Sequence, residues 1–407
     1  MTIQTTQTGQ TKMIKELIKN NRLRIFFQPI ISIMDKKIFA YEALTRGFDE
    51  HDEIIMPLFL FNQAKKEDLS NELDTYVRKL AITEFQKYYE EDKKLLLFLN
   101  FESSIIDNDT SDDFINFVLH HKISPSNIVI EIKEDSIKNN KLLNNFVKKY
   151  REHGFIIAID DFGTGHSSFD RLALIQPDIV KVDRSIIYDV DKNFINSEIL
   201  QAITNMCHKI GTLVLAEGVE TKDEILSCMT KDIDIFQGFW FSKPKKEIDE
   251  TIKETLLEKI QEVGCDYQSS LKNLFHKEKL LLKDSKALVK TILSIMQNES
   301  TQSITKIHEI ILKDPKLEAI FLLNENTGKQ FGATILDKRE ERKMFSPTKD
   351  GHDHSLKEYY FITKDSSRGD YLSAKYISKA TGNMCRTYSA KISLKESKYI
   401  VCFDILE

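Results

Sequence analysis

The stretch that decides the fold is IAIDDFGTGHSSF, residues 157–169, in which an apolar run ends on two adjacent carboxylates, Asp160 and Asp161. Like charges in a poorly solvated place repel each other, so without a counter-charge one carboxylate would stay protonated. A bound cation removes this cost. A turn is the alternative explanation, because Asp and Gly both favour turns, and taken alone the pair is more often structural than metal-binding.

The composition describes a chain of more than one domain and no basic surface for a nucleic acid polymer. The chain has 407 residues, of which 41% are hydrophobic and 30% charged, with a net charge of -5. This length is too great for one ordinary domain and predicts two or three. Because the net charge is small and negative, an anionic ligand has to be held locally, by a metal ion or by a few cationic side chains.

The cysteine pattern predicts a reducing compartment. The five cysteines have no Cys-x-x-Cys and no framework spacing: Cys207, Cys228, Cys265, Cys385 and Cys402. Residues 1–12 are polar, lack the apolar core of a signal peptide and are interpreted as a disordered lead-in. No apolar run approaches the ~20 residues that a membrane span needs. We therefore expect a cytoplasmic protein without a membrane span.

Short apolar runs alternate with longer amphipathic segments from about residue 24 to residue 240. Eight of these runs are predicted strands, at residues 24–33, 37–44, 95–101, 127–132, 155–161, 178–183, 212–218 and 232–238. The alternation of strand and helix predicts a parallel sheet with helical crossovers. Eight strands in ~220 residues favour a TIM-like (β/α)8 barrel over an open doubly wound sheet.

The remaining chain divides into two patterns. Residues 251–299 are charged, carry apolar residues at helical spacing and predict a helical connector of one or two long helices, broken near Gly264. These helices either cap the barrel or connect and dimerise it. Residues 300–407 contain a predicted helix at 304–314, a predicted strand at 318–328 and two predicted strands around the turn at 381–383, which indicates a small antiparallel α+β domain.

Polar side chains lie at the carboxyl ends of most predicted barrel strands: Glu42, Asn100, Glu131, Asp160, Asp161, Lys181, Asp183, Glu217 and Gln237. In a closed parallel barrel these ends meet at one rim, where active sites of such barrels lie. Carboxylates gathered there without a cation would suffer a heavy desolvation and repulsion cost. Oxygen donors suit Mg²⁺ or Mn²⁺, whereas zinc would recruit His or Cys. Adjacent Asp residues can serve two metal ions that clamp a phosphoryl group.

An ordered set of motifs resembles the EAL-domain family of cyclic di-GMP phosphodiesterases over residues 13–250. The motifs are QPI at 28–30, YEALTR at 41–46, EIKE at 131–134, DDFGTGHSS at 160–168, KVDRS at 181–185, AEGVET at 216–221 and QGFWFSKP at 237–244. The resemblance implies metal-dependent hydrolysis of cyclic di-GMP to linear pGpG in an EAL-type barrel. It also implies a homodimer, because the DDFGTGHSS loop is implicated in dimerisation in this family.

The resemblance implies a role for each matching residue. One metal ion would be bound by Glu42, Asn100, Glu131 and Asp160, and a second would be shared by Asp160 and Asp161. Lys181 would hold a catalytic water, and Glu217 would be the general base or a ligand of the second metal ion. Glu134 would anchor the DDFGTGHSS loop. Metals and water would be supported by Asp183, Glu220 and Gln237, and the dinucleotide would be contacted by Gln28, Leu44, Arg46 and Pro244.

Three positions depart from the usual family pattern: Glu102, Lys133 and His166. None of them removes an implied metal ligand. Lys133 stands where Thr is usual, and we expect its side chain to point away from the rim by strand alternation relative to Glu131. His166 replaces a more usual Tyr and is given no catalytic role.

Residues 300–407 resemble the PAS or Cache-type sensor domain that follows the barrel in some EAL proteins, and a packing or dimerisation module is the alternative. Two functions from different classes remain for the whole chain. The first is a cyclic di-GMP hydrolase regulated by the carboxy-terminal domain, and the second is a catalytically silent receptor of the same dinucleotide. Such receptors typically lose metal ligands, and this chain keeps the set, which favours the hydrolase. Action on another phosphodiester survives only if the binding motifs are misread.

Overall fold

The computed structural model describes residues 13–102, 106, 111–133, 139–164, 169–297, 310, 314, 316–336, 346–394 and 397–406. The chain divides into two compact units, Met1–Ser270 and Leu271–Glu407. The expected disordered lead-in at residues 1–12 lies outside the described residues. None of the described helices is both long enough and apolar enough to cross a membrane.

The first unit is built on a closed eight-stranded barrel, which confirms the predicted fold class. Its strands are β1 Leu23–Ser32, β2 Lys37–Phe48, β4 Leu96–Phe101, β5 Ile128–Lys133, β6 Ile156–Phe162, β7 Ile179–Val182, β8 Leu213–Glu217 and β9 Ile235–Gln237. The short strand β3, Ile54–Ile55, pairs with the end of β2. The strand order is β1-β9-β8-β7-β6-β5-β4-β2, and the pairing of β1 with β2 closes the ring.

The prediction of an all-parallel sheet was wrong for β1. This strand pairs antiparallel with both β2 and β9, whereas the pairs from β2 through β4 to β9 are parallel. Only residues 33–36 separate β1 from β2, and a connection that short forms a hairpin, because a parallel crossover needs a dozen residues or more. The hairpin register sets Gln28 opposite Glu42.

Nine helices of the described chain accompany the barrel strands, before the long helix that follows them: α1 Met13–Lys19, α2 Pro57–Lys66, α3 Ser70–Glu91, α4 Asp113–His120, α5 Asn140–Glu152, α6 Phe169–Ile175, α7 Arg184–Ile187, α8 Phe194–Lys209 and α9 Lys222–Met229. Helices α5 and α8 begin where Asn139 and Asn193 accept hydrogen bonds from backbone N–H groups of the first turn.

The barrel has two apolar cores. The inner core takes one buried residue from each of the eight strands: Ile30, Ala40, Phe98, Val129, Ala158, Ile179, Leu215 and Ile235. The outer core lies between the other strand face and the helices, and it includes Leu73, Phe85 and Tyr150. Burial on both faces explains why the strands read as continuous apolar runs in the sequence.

Helix α10, Glu250–Met296, follows the barrel as one element. The predicted break near Gly264 does not occur. A glycine inside a helix costs about 1 kcal/mol, and burial of its neighbours Ile260 and Val263 in the outer core offsets this cost. Further along the same helix, Val289 and Ile292 are buried in the core of the second unit.

The second unit is a six-stranded antiparallel sheet that packs with helix α11 and with the end of α10, as the α+β prediction requires. Its elements are β10 Leu317–Asn324, β11 Gln330–Leu336, α11 Glu358–Asp365, β12 Asp370–Leu372, β13 Tyr376–Ile377, β14 Met384–Leu394 and β15 Ser397–Leu406. The strand order is β11-β10-β15-β14-β12, and β13 pairs with β14. Tyr359 and Tyr360 of α11 are buried on one apolar cluster of this sheet.

Helix α3 carries a buried ion pair between two of its own residues, Asp74 and Arg78, and Arg78 also contacts β4. The Arg78 Nε lies 2.6 Å from the Asp74 Oδ2, and the two side chains are 6% and 3% exposed. The Arg78 guanidinium also lies 4.2 Å from the centre of the Phe101 ring. Burial raises the pKa of Asp74, and the charge of Arg78 opposes that rise.

We expect Arg78→Met to lower the free energy of unfolding by about 3–5 kcal/mol, because it leaves the buried Asp74 carboxylate without this partner. In the double variant Asp74→Leu/Arg78→Met the free energy of unfolding is expected to fall much less, because neither buried charge remains. Urea unfolding of the full chain, followed by circular dichroism, measures both. The control Arg24→Met removes the exposed pair between Arg24 and Asp52, and its effect is expected to stay below about 1 kcal/mol. A double variant as unstable as Arg78→Met would contradict this account.

Candidate active site

The centre of the site is the ammonium group of Lys181 on β7, whose side chain is 1% exposed. The Lys181 Nζ lies 2.6 Å from Glu131 Oε1, 2.9 Å from Asp160 Oδ1 and 3.7 Å from both Glu42 Oε1 and Glu217 Oε2. These carboxylates come from four different strands, β2, β5, β6 and β8. The barrel therefore surrounds one positive charge with four acidic groups.

A row of amides fixes the orientation of Glu42. Asn100 Nδ2 donates to Glu42 Oε1 at 3.0 Å, and Gln237 Nε2 donates to Glu42 Oε2 at 2.5 Å. Gln237 Nε2 also lies 3.1 Å from Gln28 Oε1, and Gln28 Nε2 donates to the Ser242 carbonyl at 3.2 Å. The Asn100 amide nitrogen is used by Glu42, so its carbonyl oxygen is the atom available to a cation.

The electrostatics of the rim favour a further positive charge. Burial raises the pKa of Glu131 well above its usual range, although Lys181 opposes this. Burial likewise raises the pKa of Glu217 to about 8, with Lys181 opposing and Asp160 adding to the rise. Burial alone would lower the pKa of Lys181, but the surrounding carboxylates, Asp160 and Glu131 first, raise it well above its usual range.

The donor atoms fit a divalent metal ion. Carboxylate oxygens of Asp160, Asp161 and Glu217 all lie within 4.8 Å of one another. Glu131 Oε2 is buried and has no hydrogen-bond partner among the described residues. An acceptor left in this state is costly unless a cation or water meets it. Oxygen ligands of this kind suit Mg²⁺, Mn²⁺ or Ca²⁺.

A local irregularity lets two consecutive Asp residues serve the same rim. Successive side chains of a regular strand point to opposite faces, yet the oxygens of Asp160 and Asp161 come together. The pairing of β6 with β7 shifts register between Ile159 and Phe162, and Asp161 adopts a left-handed backbone with φ 57°. Such a bulge turns the second side chain toward the first.

The expectation that Lys133 points away from the rim was wrong. Lys133 and Glu131 are two residues apart on β5, and a strand period of two places them on the same face. The Lys133 Nζ lies 4.0 Å from Asp161 Oδ2. The i, i+2 spacing was the sequence signal that would have placed this lysine correctly.

Two residues implied to support the metals make other contacts. Asp183 caps α7, because its Oδ1 accepts a hydrogen bond from the Ser185 backbone N–H at 2.8 Å. The Glu220 Oε2 lies 3.0 Å from the Arg184 Nη2. Asp183 lies within the motif KVDRS and Glu220 within AEGVET. Both carboxylates make local contacts, a hydrogen bond for Asp183 and an ion pair for Glu220. Glu134 and residues 165–168 of the DDFGTGHSS loop lie outside the described residues.

The residues implied to contact the dinucleotide surround the same end of the barrel. Arg46 follows Leu44 on β2, donates to the Thr45 carbonyl at 2.8 Å and is half-buried, which lowers its pKa while Glu42 opposes the change. Pro244 precedes Lys245, whose backbone pairs with Phe27 of β1 through hydrogen bonds of 2.7 and 2.9 Å.

A cavity of about 360 Å³ opens over the carboxylates. Its wall includes two groups of residues. The first belongs to the strands or directly follows them: Glu42, Leu44, Asn100, Lys133, Asp160, Asp161 and Glu217; the second belongs to α2 and α3: Pro57, Leu58, Phe61, Asp74 and Arg78. Sequence reasoning missed the second group. The sequence shows the apolar run MPLFLF at 56–61, but only the structure shows that its Leu58 stays 76% exposed.

Comparison with known proteins identifies the barrel. The EAL domain family model matches residues 11–244. NbdA of Pseudomonas aeruginosa, named a cyclic di-GMP phosphodiesterase, is 27% identical over 234 residues, which are 57% of this chain and 30% of NbdA. PdeA of Borreliella burgdorferi, named likewise, is also 27% identical over 57% of this chain and 35% of PdeA. This chain therefore spans about a third of the length of these two curated relatives.

Similarity over nearly the whole chain is found with YkuI of Bacillus subtilis, named an uncharacterized EAL-domain containing protein, which is 22% identical over 89% of this chain and 90% of YkuI. The crystal structure of YkuI with cyclic di-GMP and calcium superimposes with a TM-score of 0.81 at 20% identity, covering 98% of this chain and 100% of YkuI. At that identity the superposition establishes the shared fold, including the second unit. A calcium and cyclic di-GMP complex of Klebsiella pneumoniae BlrP1 matches 58% of each chain, with a TM-score of 0.51 and 25% identity. The chain belongs to the EAL domain family.

Proposed function

We propose that this protein hydrolyses cyclic di-GMP to linear pGpG at the Lys181 rim, with two Mg²⁺ or Mn²⁺ ions. The observation that carries the proposal is the set of oxygen donors on different strands, with Asp160, Asp161 and Glu217 close enough to share a cation. Support comes from the family, since NbdA is named a cyclic di-GMP phosphodiesterase and YkuI and BlrP1 were solved with the dinucleotide and calcium.

The first ion is assigned to Glu42, Asn100, Glu131 and Asp160, and the second to Asp160 and Asp161. When bound, the ions supply Lewis acidity toward the phosphate oxygens and lower the pKa of a water molecule. Glu42 is held for this task by two amide donors, Asn100 and Gln237. Two observations support the same assignment: Glu131 Oε2 has no hydrogen-bond partner among the described residues, and the strand pairing is irregular at Asp161.

The proton chemistry is assigned to Lys181 and Glu217. Because the surrounding carboxylates raise the pKa of Lys181, it stays charged and donates hydrogen bonds, which suits it to hold the attacking water. Two roles fit Glu217. As a carboxylate at the rim it suits a general base, and its distance from Asp160 and Asp161 suits a ligand of the second ion. Glu134 keeps its proposed role as the anchor of the DDFGTGHSS loop.

Substrate binding is assigned to residues near the rim, of which Leu44 lines the cavity. Arg46 presents a fork that matches the geometry of a non-scissile phosphate. Gln28, Leu44 and Pro244 complete the dinucleotide contacts. The support of the metal ions and of water is assigned to Asp183, Glu220 and Gln237. The apolar wall that includes Pro57, Leu58 and Phe61 suits the flat face of a guanine base.

Further proposals concern the whole protein. We propose regulation by the second unit, a cytoplasmic location from the cysteine spacing, and a homodimer. The dimer is supported by exposed apolar side chains that follow the KVDRS motif, since Tyr188, Phe194 and Ile195 are 57%, 61% and 68% exposed.

We expect the purified full chain to convert cyclic di-GMP to pGpG with Mg²⁺ or Mn²⁺ and to stop when EDTA is added. Chromatography of the nucleotides measures the product. Tight binding of the dinucleotide with no pGpG under any of these metals would establish the receptor alternative. Turnover of bis(p-nitrophenyl) phosphate at a rate equal to that of cyclic di-GMP would instead show a general phosphodiesterase.

We expect Glu42→Ala to lower turnover by more than about 100-fold and to weaken Mn²⁺ binding, because a direct ligand costs more than the outer partners of ligands do. Kinetics and Mn²⁺ calorimetry measure the two effects. The control is Glu50→Ala, on the exposed loop after β2, which is expected to leave both unchanged. Unchanged turnover in Glu42→Ala would remove this residue from the metal site.

We expect Lys181→Met to lower the free energy of unfolding by about 3–5 kcal/mol in EDTA, because buried carboxylates lose their counter-charge. Mn²⁺ should raise the unfolding temperature of this variant by more than it raises that of the wild type, because the ions replace the lost positive charge. Thermal unfolding with and without Mn²⁺ measures both. Lys192→Met, at a side chain 71% exposed, is the control with no expected shift. A Lys181→Met variant as stable as wild type in EDTA would contradict the charge balance described above.

A further inference from the structure

The loop between β8 and α9, residues 218–221, directly follows Glu217 and is held on its β9 side by backbone contacts. The Val219 N–H donates to the Gln237 carbonyl at 3.0 Å, and the Trp240 N–H donates to the Val219 carbonyl at 3.1 Å. A Cβ at Gly238 would lie 2.0 Å from the Val219 oxygen. Only glycine at position 238 lets the two backbones approach this closely.

On its β7 side the same loop is held by Arg184. The Arg184 Nη1 donates to the Gly218 carbonyl, and its Nη2 lies 3.0 Å from Glu220 Oε2. Gly218 has a positive φ of 74°, and a Cβ there would lie 2.8 Å from the Arg184 Cδ. The Arg184 guanidinium therefore contacts both the Gly218 carbonyl, directly after Glu217, and the Glu220 carboxylate two residues further on.

Glu224 of α9 completes this grip from a buried position, with its side chain 2% exposed. Its Oε2 accepts from the backbone N–H groups of Glu220 and Thr221 at 2.8 and 3.1 Å and lies 3.5 Å from Arg184 Nη1. Its Oε1 accepts from the Asp189 N–H at 3.2 Å. One carboxylate thus ties the chain after β7 to the loop after β8.

We propose that Arg184 and Glu224 are positioning residues that fix the direction of Glu217 at the Lys181 rim, an inference that rests on the proposed function. Neither residue contacts the metal-binding carboxylates in the hydrogen bonds and ion pairs described above. They act through the Gly218 peptide and the N–H groups of Glu220 and Thr221. A displacement of the order of 1 Å in a group that meets the reacting atoms can cost about 100-fold in rate.

A purely structural role for the same contacts makes a different prediction. Thr221 and Glu224 form a capping box at the start of α9, and such a box stabilises a helix without any effect on catalysis. Loss of a cap alone would lower the unfolding temperature and leave kcat unchanged. The positioning role instead lowers kcat while KM stays near the wild-type value.

The test compares Arg184→Met, Arg184→Lys and the control Lys222→Met in the full chain. Methionine keeps an unbranched apolar stem beside Gly218 and removes the donors, so kcat is expected to fall roughly 10- to 100-fold with KM within about twofold. Lysine keeps one charged donor and is expected to recover part of the loss. Lys222→Met removes ion pairs of 2.9 Å to Glu262 and 2.7 Å to Asp266 at the start of α9 and should keep the wild-type kcat.

A second readout separates this inference from the proposed function. Hydrogen exchange of a peptide covering residues 217–224 should rise in Arg184→Met and stay unchanged in Lys222→Met, and Mn²⁺ calorimetry should show weaker binding only in Arg184→Met. If wild-type protein forms no pGpG, the proposed function fails, and the Mn²⁺ affinities decide the inference. If the wild type is active, a kcat of Arg184→Met equal to that of the wild type would overturn the inference. If the wild type is inactive, an Mn²⁺ affinity of Arg184→Met equal to that of the wild type would overturn it. Should Arg184→Met fail to fold, Glu224→Gln takes its place, because it keeps the shape and one acceptor oxygen.

Discussion

The structure of the barrel rim depends on one charge balance, a buried ammonium group facing four carboxylates. Lys181 alone cannot neutralise Glu42, Glu131, Asp160 and Glu217, and burial strengthens the repulsion among them. The excess negative charge favours a further positive charge at this end of the barrel. The same excess requires a rigid surrounding, since carboxylates that were free to move apart would relieve their repulsion by doing so. The hydrogen bonds to Glu42 and the grip on the loop after Glu217 supply that rigidity.

The barrel supplies its rigidity through closure. Each of the eight strands places one apolar residue in the inner core, so the ring cannot open without exposing that core to water. The antiparallel hairpin of β1 and β2 completes the ring and brings Gln28 beside Glu42. An all-parallel barrel would place that glutamine elsewhere, because its side chain lies within β1 and not at a strand end. The departure from eight parallel strands therefore contributes directly to the site.

Small backbone irregularities decide how the motifs are used. A bulge with a left-handed Asp161 turns two consecutive carboxylates to one rim, and glycines 218 and 238 let neighbouring chains approach within distances that a side chain would forbid. These features are costly in isolation and are held by the packed elements around them. In each of the motifs DDFGTG, AEGVET and QGFWFSKP, a charged or amide residue of the rim is followed by a glycine within two residues.

The sequence by itself determined the eight barrel strands, the class of the second unit and the strand-end polar residues that meet at the rim, because apolar periodicity and turn residues are local properties. It also carried the family, through the order and spacing of seven motifs. The direction of β1 and the side of the sheet that carries Lys133 also had local signals, a short connection and an i, i+2 spacing. Only the tertiary structure decided the continuity of the helix through Gly264 and the links from Arg184 and Glu224 to the loop after Glu217. These depend on which segments, distant along the chain, come to pack together, and no local pattern encodes that. The two Asp residues show the division most clearly: their adjacency is written in the sequence, but a shared rim exists only because the paired strands force a bulge between them.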